Sequence, residues 1–294
     1  MSDLHEKTAE FYRFATGAKR KAAQFILLHA DEVAFMTLEQ VAERAGVSPA
    51  TITRTATEIG YSGFPELLAA ARSTVRRDMA PVERLDHAPL HEGSTGFSES
   101  VVLDARHLDS LLRLNPAETV RAALDLLAEA PRLSLFTSRT SYGAMSFFAY
   151  VLGQIRPGVT LLTEAEGRLA DQLLDVSPAD VFFLADLQRY SRVVPACARE
   201  VKGGGAQVIC VTDGPDSPIA SFSDVALFVP YVSRSFFNSN TATLALYNAL
   251  ATALNLRLKD ASLPRLERHN ALLRTFKTLV MQKDAPGQSP REVP

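Results

Sequence analysis

Residues 37–60 read Thr37-Leu-Glu-Gln-Val-Ala-Glu-Arg-Ala-Gly-Val-Ser-Pro-Ala-Thr-Ile-Thr-Arg-Thr-Ala-Thr-Glu-Ile-Gly60. Thr37 can cap a helix, and Gln40 three residues on completes a capping box. Leu38, Val41, Ala42 and Ala45 recur at helical spacing and form an inner face. Gly46 permits a tight turn, with Val47 tucked beneath it. Ser48 is a second N-cap, and Pro49 takes the first helical position, where its missing N–H costs nothing. Ile52, Ala56 and Ile59 then face a core at i, i+4 and i+7. The pattern predicts a helix-turn-helix whose second helix turns Ala50, Thr51, Thr53, Arg54 and Thr57 outward. Such a face suits a major groove: arginine can read guanine O6 and N7, and threonine can meet base edges or phosphates. The helix start at Ser48 also favours a phosphate. A plain helical hairpin with solvated threonines is the alternative. Threonine is a poor helix former, however, and four stand within seven positions of this helix.

Basic clusters flank this motif: Lys19, Arg20 and Lys21 on one side, Arg72, Arg76 and Arg77 on the other. Between residues 18 and 77, eight Lys/Arg oppose six Asp/Glu. Affinity for DNA would then lean on clustering and dimerisation more than on bulk charge. Each cluster reads equally well as a solvated helix face. The whole chain has 294 residues, 47% hydrophobic and 22% charged, with a net charge of −2. That length suggests two domains, and that composition excludes wholesale disorder and a generally basic, histone-like binder. Two cysteines, Cys197 and Cys210, are too few for a disulfide framework. The first residues lack a signal-peptide pattern, and no apolar run reaches the ~18–20 residues of a membrane span. The expectation is a cytoplasmic protein with no membrane partner.

The divisions expected are 1–79 for the helical DNA-binding domain, 80–100 for a Pro- and Gly-containing linker with one short turn at most, 101–278 for a second domain, and 279–294 for a disordered tail. A helix over 101–114 should pack on the segments after it. From residue 132, short apolar runs at 133–137, 159–162, 181–185, 208–212 and 225–230 alternate with helical stretches near 141–155, 168–174 and 191–202 and a turn near Ile219. This alternation predicts an α/β, doubly wound parallel five-stranded sheet covered on both faces.

The stretches Glu32-Val-Ala-Phe-Met-Thr-Leu, Ala42-Glu-Arg-Ala-Gly-Val-Ser-Pro-Ala-Thr-Ile-Thr-Arg and Ile59-Gly-Tyr-Ser-Gly-Phe-Pro-Glu-Leu closely resemble the N-terminal domain of RpiR-type (MurR/RpiR) transcriptional regulators. The resemblance implies a helix-turn-helix domain followed by a SIS (sugar isomerase) domain that senses a phosphosugar or related metabolite. It implies that Ser48, Thr51, Thr53 and Arg54 carry recognition of double-stranded operator DNA. It also implies the strand order 2-1-3-4-5, which places a ligand crevice at the carboxyl ends of the first and third strands.

The crevice loops are then 137–141, 185–191 and 212–217, with Ser138, Arg139, Thr140, Ser141, Asp186, Arg189, Tyr190 and Thr212 as ligand-binding candidates. SIS domains usually carry Gly-x-Gly-x-Ser after the first strand; here Thr137, Arg139 and Ser141 stand at those places. The phosphate cradle after the third strand is usually Ser-x-Ser-Gly-x-Thr; here Ala185, Leu187, Gln188 and Tyr190 replace it. Arg139, Arg189 and the helix start after Ser191 can still hold an anion. Alternatively, Asp186 and Arg189 pair with each other and brace the loop. The Ser233-Arg-Ser-Phe-Phe-Asn-Ser stretch resembles the segment that helps close SIS pockets.

Catalysis fails by inventory. None of the six histidines lies between residues 132 and 259, and residues 236–256 hold no charge. The cysteines fall in a helix and a strand, where a thiol behaves as a small hydrophobe. No metal-ligand cluster, Walker loop or dinucleotide fingerprint is present. The reading is a regulator that is not an enzyme, without cofactor or metal, whose small effector is a sugar phosphate or related anionic sugar metabolite. The alternatives are a SIS-fold sugar-phosphate isomerase or lyase with an accessory helical domain, and an interaction protein whose pocket has lapsed. One helix-turn-helix makes few base contacts, so a homodimer or homotetramer is expected. Residues 236–256 and the apolar face of Leu108, Leu111 and Leu112 are the candidate interfaces.

Overall fold

A computed structural model describes residues 3–33, 36–78, 81–86 and 96–278. The expected tail, residues 80 and 87–95 of the expected linker and the side chains of Arg72, Arg76 and Arg77 lie outside the described residues. The chain divides into two compact units. One runs to Gly96 and includes Arg234–Phe237; the other holds Phe97–Ser233 and everything from Asn238 on.

The first unit is helical: α1 (Asp3–Phe14), α2 (Gly17–Leu28), α3 (Ala30–Val33), α4 (Leu38–Ala45), α5 (Pro49–Ile59), α6 (Phe64–Asp78) and α7 (Pro81–Asp86). The capping box at α4 forms as its residues dictate. The Gln40 N–H donates to the Thr37 hydroxyl at 3.3 Å, and the Thr37 N–H donates to the Gln40 side chain at 2.8 Å. Gly46 then sits at φ 65°, a left-handed position that suits glycine, and turns the chain into α5. Ala22, Ile26, Val41, Ile52, Ala56 and Leu67 close one core beneath the turn. The 81–86 segment, expected to hold no more than a turn, is a short helix.

The second unit opens with α8 (Phe97–Leu114), which starts four residues before the expected position, and α9 (Ala117–Glu129). There follow β1 (Arg132–Thr137), α10 (Tyr142–Ile155), β2 (Val159–Leu161), α11 (Arg168–Gln172), β3 (Asp180–Ala185), α12 (Val193–Gly203), β4 (Gln207–Thr212), β5 (Val225–Phe228), α13 (Thr241–Arg257) and α14 (Lys259–Thr275). All five strands are parallel, in the order β2-β1-β3-β4-β5. Alternate residues of one strand point to opposite faces. Thus Val181 and Phe183 join α9, α10 and α13, while Phe182 and Leu184 join α12. Both faces are covered, which is why the strands read as near-continuous apolar runs. Cys197 and Cys210 are buried in the α12 layer. Gly158 enters β2 at φ 72°, where a Cβ would stand 2.3 Å from the Pro131 carbonyl oxygen, so only glycine fits.

The uncharged α13 finds its burial at home. Thr243, Leu246, Tyr247, Leu250 and Leu254 face its own core, with the Tyr247 ring stacked on Phe148 at 4.6 Å between centroids. An uncharged helix of this kind is expected in its own core or in a subunit interface, and its own core takes one face of it. On α8, by contrast, Val101, Val102, Leu108 and Leu112 are exposed, Leu112 by 87%.

Candidate functional site

The outward row of α5 is narrower than its sequence implies. Ser48, Ala50, Arg54 and Thr57 are exposed and Thr53 is half-buried. Thr51, expected on this face, is only 8% exposed, and its hydroxyl lies 2.9 Å from that of Ser48. Its position one turn after the cap folds the side chain back onto the cap, and the Thr51 N–H donates to Ser48 at 3.2 Å. Thr51 is therefore a capping element. The remaining side chains rest on their own helix. The Thr53 hydroxyl donates to the Pro49 carbonyl at 3.2 Å, Thr57 to Thr53 at 3.1 Å, and Arg54 Nε to Ala50 at 3.3 Å. Lys19 and Arg20, expected as phosphate contacts, are also engaged. Lys19 pairs with Glu58 at 2.5 Å, while the Arg20 guanidinium lies 4.2 Å from the Tyr12 ring centre and donates to the Tyr12 and Ala15 carbonyls.

In the sheet unit, β1 and β3 are direct neighbours whose connections leave on opposite sides, so their carboxyl ends open a crevice. After β1, Ser138 leads into a 3-10 turn (Arg139–Ser141) and then α10. Neither Ser138 nor Ser141 makes a side-chain capping bond, and Arg139 and Thr140 are exposed. Arg139 and Arg189 both adopt left-handed backbone, at φ 57° and 67°. The Arg139 guanidinium donates to the Arg189 carbonyl at 3.4 Å, which ties the two loops across the crevice.

The β3 and β4 loops are closed on themselves. The Thr137 hydroxyl donates to the Ala185 carbonyl at 2.6 Å, and Thr212 to the Asp186 carbonyl at 2.7 Å. Ser217 reaches Thr212 at 2.6 Å, and the Tyr190 hydroxyl donates to the Asp213 carboxylate at 3.0 Å. Thr212, expected to contact a ligand, is fully buried and braces the loop instead. Asp186 does not pair with Arg189. Its carboxylate, 7% exposed, accepts the Ser191 N–H at 3.0 and 3.2 Å. Burial pushes the Asp186 carboxyl up to about 7 against the pull of that N–H, with the Asp213 charge adding to the rise and Arg139 opposing it.

A third wall comes from the end of the 233–239 stretch and from Asn240 just after it, none of which was among the ligand-binding candidates. Asn240 donates to the Thr140 carbonyl at 3.3 Å and Asn238 to the Gln188 carbonyl at 2.8 Å, so one segment touches both crevice loops. That segment is held from behind by Asp104 of α8, which accepts the Ser239 and Thr241 hydroxyls at 2.7 and 2.9 Å. The signal available was the run of Asn, Ser and Thr before α13; nothing local marked Asp104. Among the described residues no group of three His, Cys, Asp or Glu is placed to hold a metal ion, and no helix is long and apolar enough to cross a membrane.

Comparison with known proteins matches these two bodies in order. Residues 3–78 fit the helix-turn-helix domain of the rpiR family, and residues 126–253 fit the SIS domain. The chain is an RpiR-type transcriptional regulator. Among curated relatives, the HTH-type transcriptional regulator HexR of Pseudomonas aeruginosa is 25% identical over 261 residues, 85% of this chain and 88% of HexR. The uncharacterized HTH-type regulator YfhH of Escherichia coli is 23% identical over 68% of this chain and 72% of its own. Among solved structures, the sugar isomerase domain of an RpiR transcription factor from Sphaerobacter thermophilus superposes with a TM-score of 0.57 at 21% identity, covering 59% of this chain and 97% of that one. NanR of Vibrio vulnificus, solved in complex with ManNAc-6P, gives 0.57 at 17% identity over 94% of this RpiR-type chain and all of NanR. These likenesses carry the fold.

Proposed function

We propose that this regulator grips operator DNA through α5 and takes a small sugar-derived effector between the β1 and β3 loops. The observation that carries the DNA half is the exposed Ala50, Arg54 and Thr57 row on a helix whose start is capped by Ser48. The exposed hydrogen bonds along that row exchange readily for base edges and phosphates. Arg54→Ala should weaken operator binding by about 1–3 kcal/mol, read by fluorescence anisotropy, if the arginine meets a guanine. Unchanged affinity in the folded variant would sink the assignment.

The effector half rests on the half-buried Ser138, which makes no capping bond, and on the exposed Arg139 and Arg189 beside it. This combination suits a polyhydroxylated molecule with an acidic group, held by guanidinium side chains. The ManNAc-6P bound to the fold neighbour NanR supports a sugar-derived effector. Thermal-shift screening against sugars, sugar acids and sugar phosphates should find a stabilising compound that also alters operator affinity. A second copy is proposed to pack on the exposed apolar row of α8.

One observation favours a second reading, that of a sugar-phosphate isomerase or lyase: a buried carboxyl near 7 is tuned for proton transfer. Both Asp186 oxygens, however, hold the Ser191 N–H, and the second carboxylate of the crevice loops, Asp213, accepts the Tyr190 hydroxyl. Sensing is the reading supported better. Turnover of a stabilising sugar phosphate, followed by NMR, would reverse that order.

A further inference from the structure

The start of α12 is a helix N-terminus at the carboxyl end of a central strand, the place where an α/β fold ordinarily offers an anion its backbone N–H groups. Here part of that cradle is already filled. The Ser191 N–H donates to Asp186, and the Val194 N–H donates to the Ser191 hydroxyl at 3.0 Å. Pro195 has no N–H to give. The neighbouring hydroxyls are equally engaged: Thr137, Thr212 and Ser217 turn to protein oxygens, and Tyr190 turns to Asp213. A second carboxylate, Asp213, repels charge at the same place, since its field acts on Asp186. An incoming phosphoryl group would have to displace one carboxylate and sit beside another, with the hydroxyls of the β3 and β4 loops already engaged. The field of Arg139 opposes that of Asp213 at this place but is the weaker of the two.

Resting on the reading of this crevice as the sensor site, we infer that Asp186 is its specificity residue: a built-in carboxyl group that occupies the α12 start and excludes a phosphoryl group, so that the effector is an unphosphorylated sugar or sugar acid. The ligand's hydroxyls then fall to the Ser138 side of the crevice, and any carboxylate it carries falls to the exposed Arg139 and Arg189 at the rim.

Inorganic phosphate is the direct probe. Full-length protein at pH 8, where Asp186 is ionised, is titrated with phosphate against chloride at equal ionic strength, and melting temperature and calorimetric heat are followed. Wild type should show no phosphate-specific shift. Asp186→Ser, which removes the charge and adds a hydroxyl donor, should bind phosphate about tenfold more tightly or better, with a melting rise of at least about 2 °C near saturation. Asp186→Asn keeps the shape and removes only the charge; it should gain in the same direction and serves if the serine variant folds poorly. Phosphate binding by wild type as tight as by the variants overturns the inference, as does a failure of both variants to gain. The outcome is separable from that of the sensor reading, which fails if no sugar-derived compound stabilises wild type, whatever the variants do with phosphate.

Discussion

The outward polar side chains of α5 and those of the β3 and β4 loops are both engaged in the free protein, but on different terms. Thr53, Arg54 and Thr57 lean on carbonyls one turn back along their own helix, at the surface, where water competes for the same atoms. Thr137, Thr212, Ser217 and Asp186 bond across loops, out of water, at shorter range. A bond of the first kind is exchanged for a DNA contact at little cost, whereas a buried bond leaves its partner stranded when broken. The outward face of α5 is therefore adaptable, and the β3–β4 side of the crevice is pre-formed.

The largest test of this contrast is pH. The folded-state value of Asp186, about 7, lies above its ordinary 3.8. Folding thus favours the protonated form: this group's contribution to stability is complete below about 4 and is lost as pH rises through 7. Urea denaturation should show wild type losing on the order of 3–4 kcal/mol between pH 4 and pH 8 from this residue. Asp186→Asn should flatten that component and be the more stable protein at pH 8. Equal slopes in the two proteins would mean that the carboxyl is solvated after all.

Next in size is Thr212→Val, which keeps the shape but strips the hydroxyl from Ser217 and from the Asp186 carbonyl. It should cost about 1–3 kcal/mol of stability. A loss below ~0.5 kcal/mol would place the crevice bonds in the same class as those of α5. The smallest effect is expected from Thr53→Val and Thr57→Val, each within ~0.5 kcal/mol of wild type by denaturation, because only an exposed back-bond is removed. A large loss at either position would erase the contrast from the other side.

Much of this was legible in the residues. The capping box at Thr37 and Gln40, the Gly46 turn and the five apolar runs are local signals, and each forms where it stands. What escaped was whatever depends on a neighbour distant in sequence or on a cap's local pull. Thr51 falls on the outer arc by spacing, yet the Ser48 hydroxyl draws it in. Lys19 counts as a loose cation until the packing of α2 against α5 brings it to Glu58, 39 positions away. Asp186 invites pairing with the arginine three residues on, but the turn carries Arg189 through left-handed backbone and hands the carboxylate the Ser191 N–H instead. Asp104 offers no clue at all, since its partners lie more than 130 residues further along.

The internal partners of Lys19 and Arg20 bear on how the regulator divides itself over a chromosome. To meet a phosphate, each cation must first leave Glu58 or the Tyr12 ring, so what it gains on arbitrary sequence is reduced by that exchange. An operator competes with roughly 10⁶–10⁹ other positions, so occupancy follows the ratio of specific to generic binding and not the specific constant alone. A domain whose lysine and arginine are partnered at home gains less from random DNA, and under the proposed reading more of its copies stay free to find the operator.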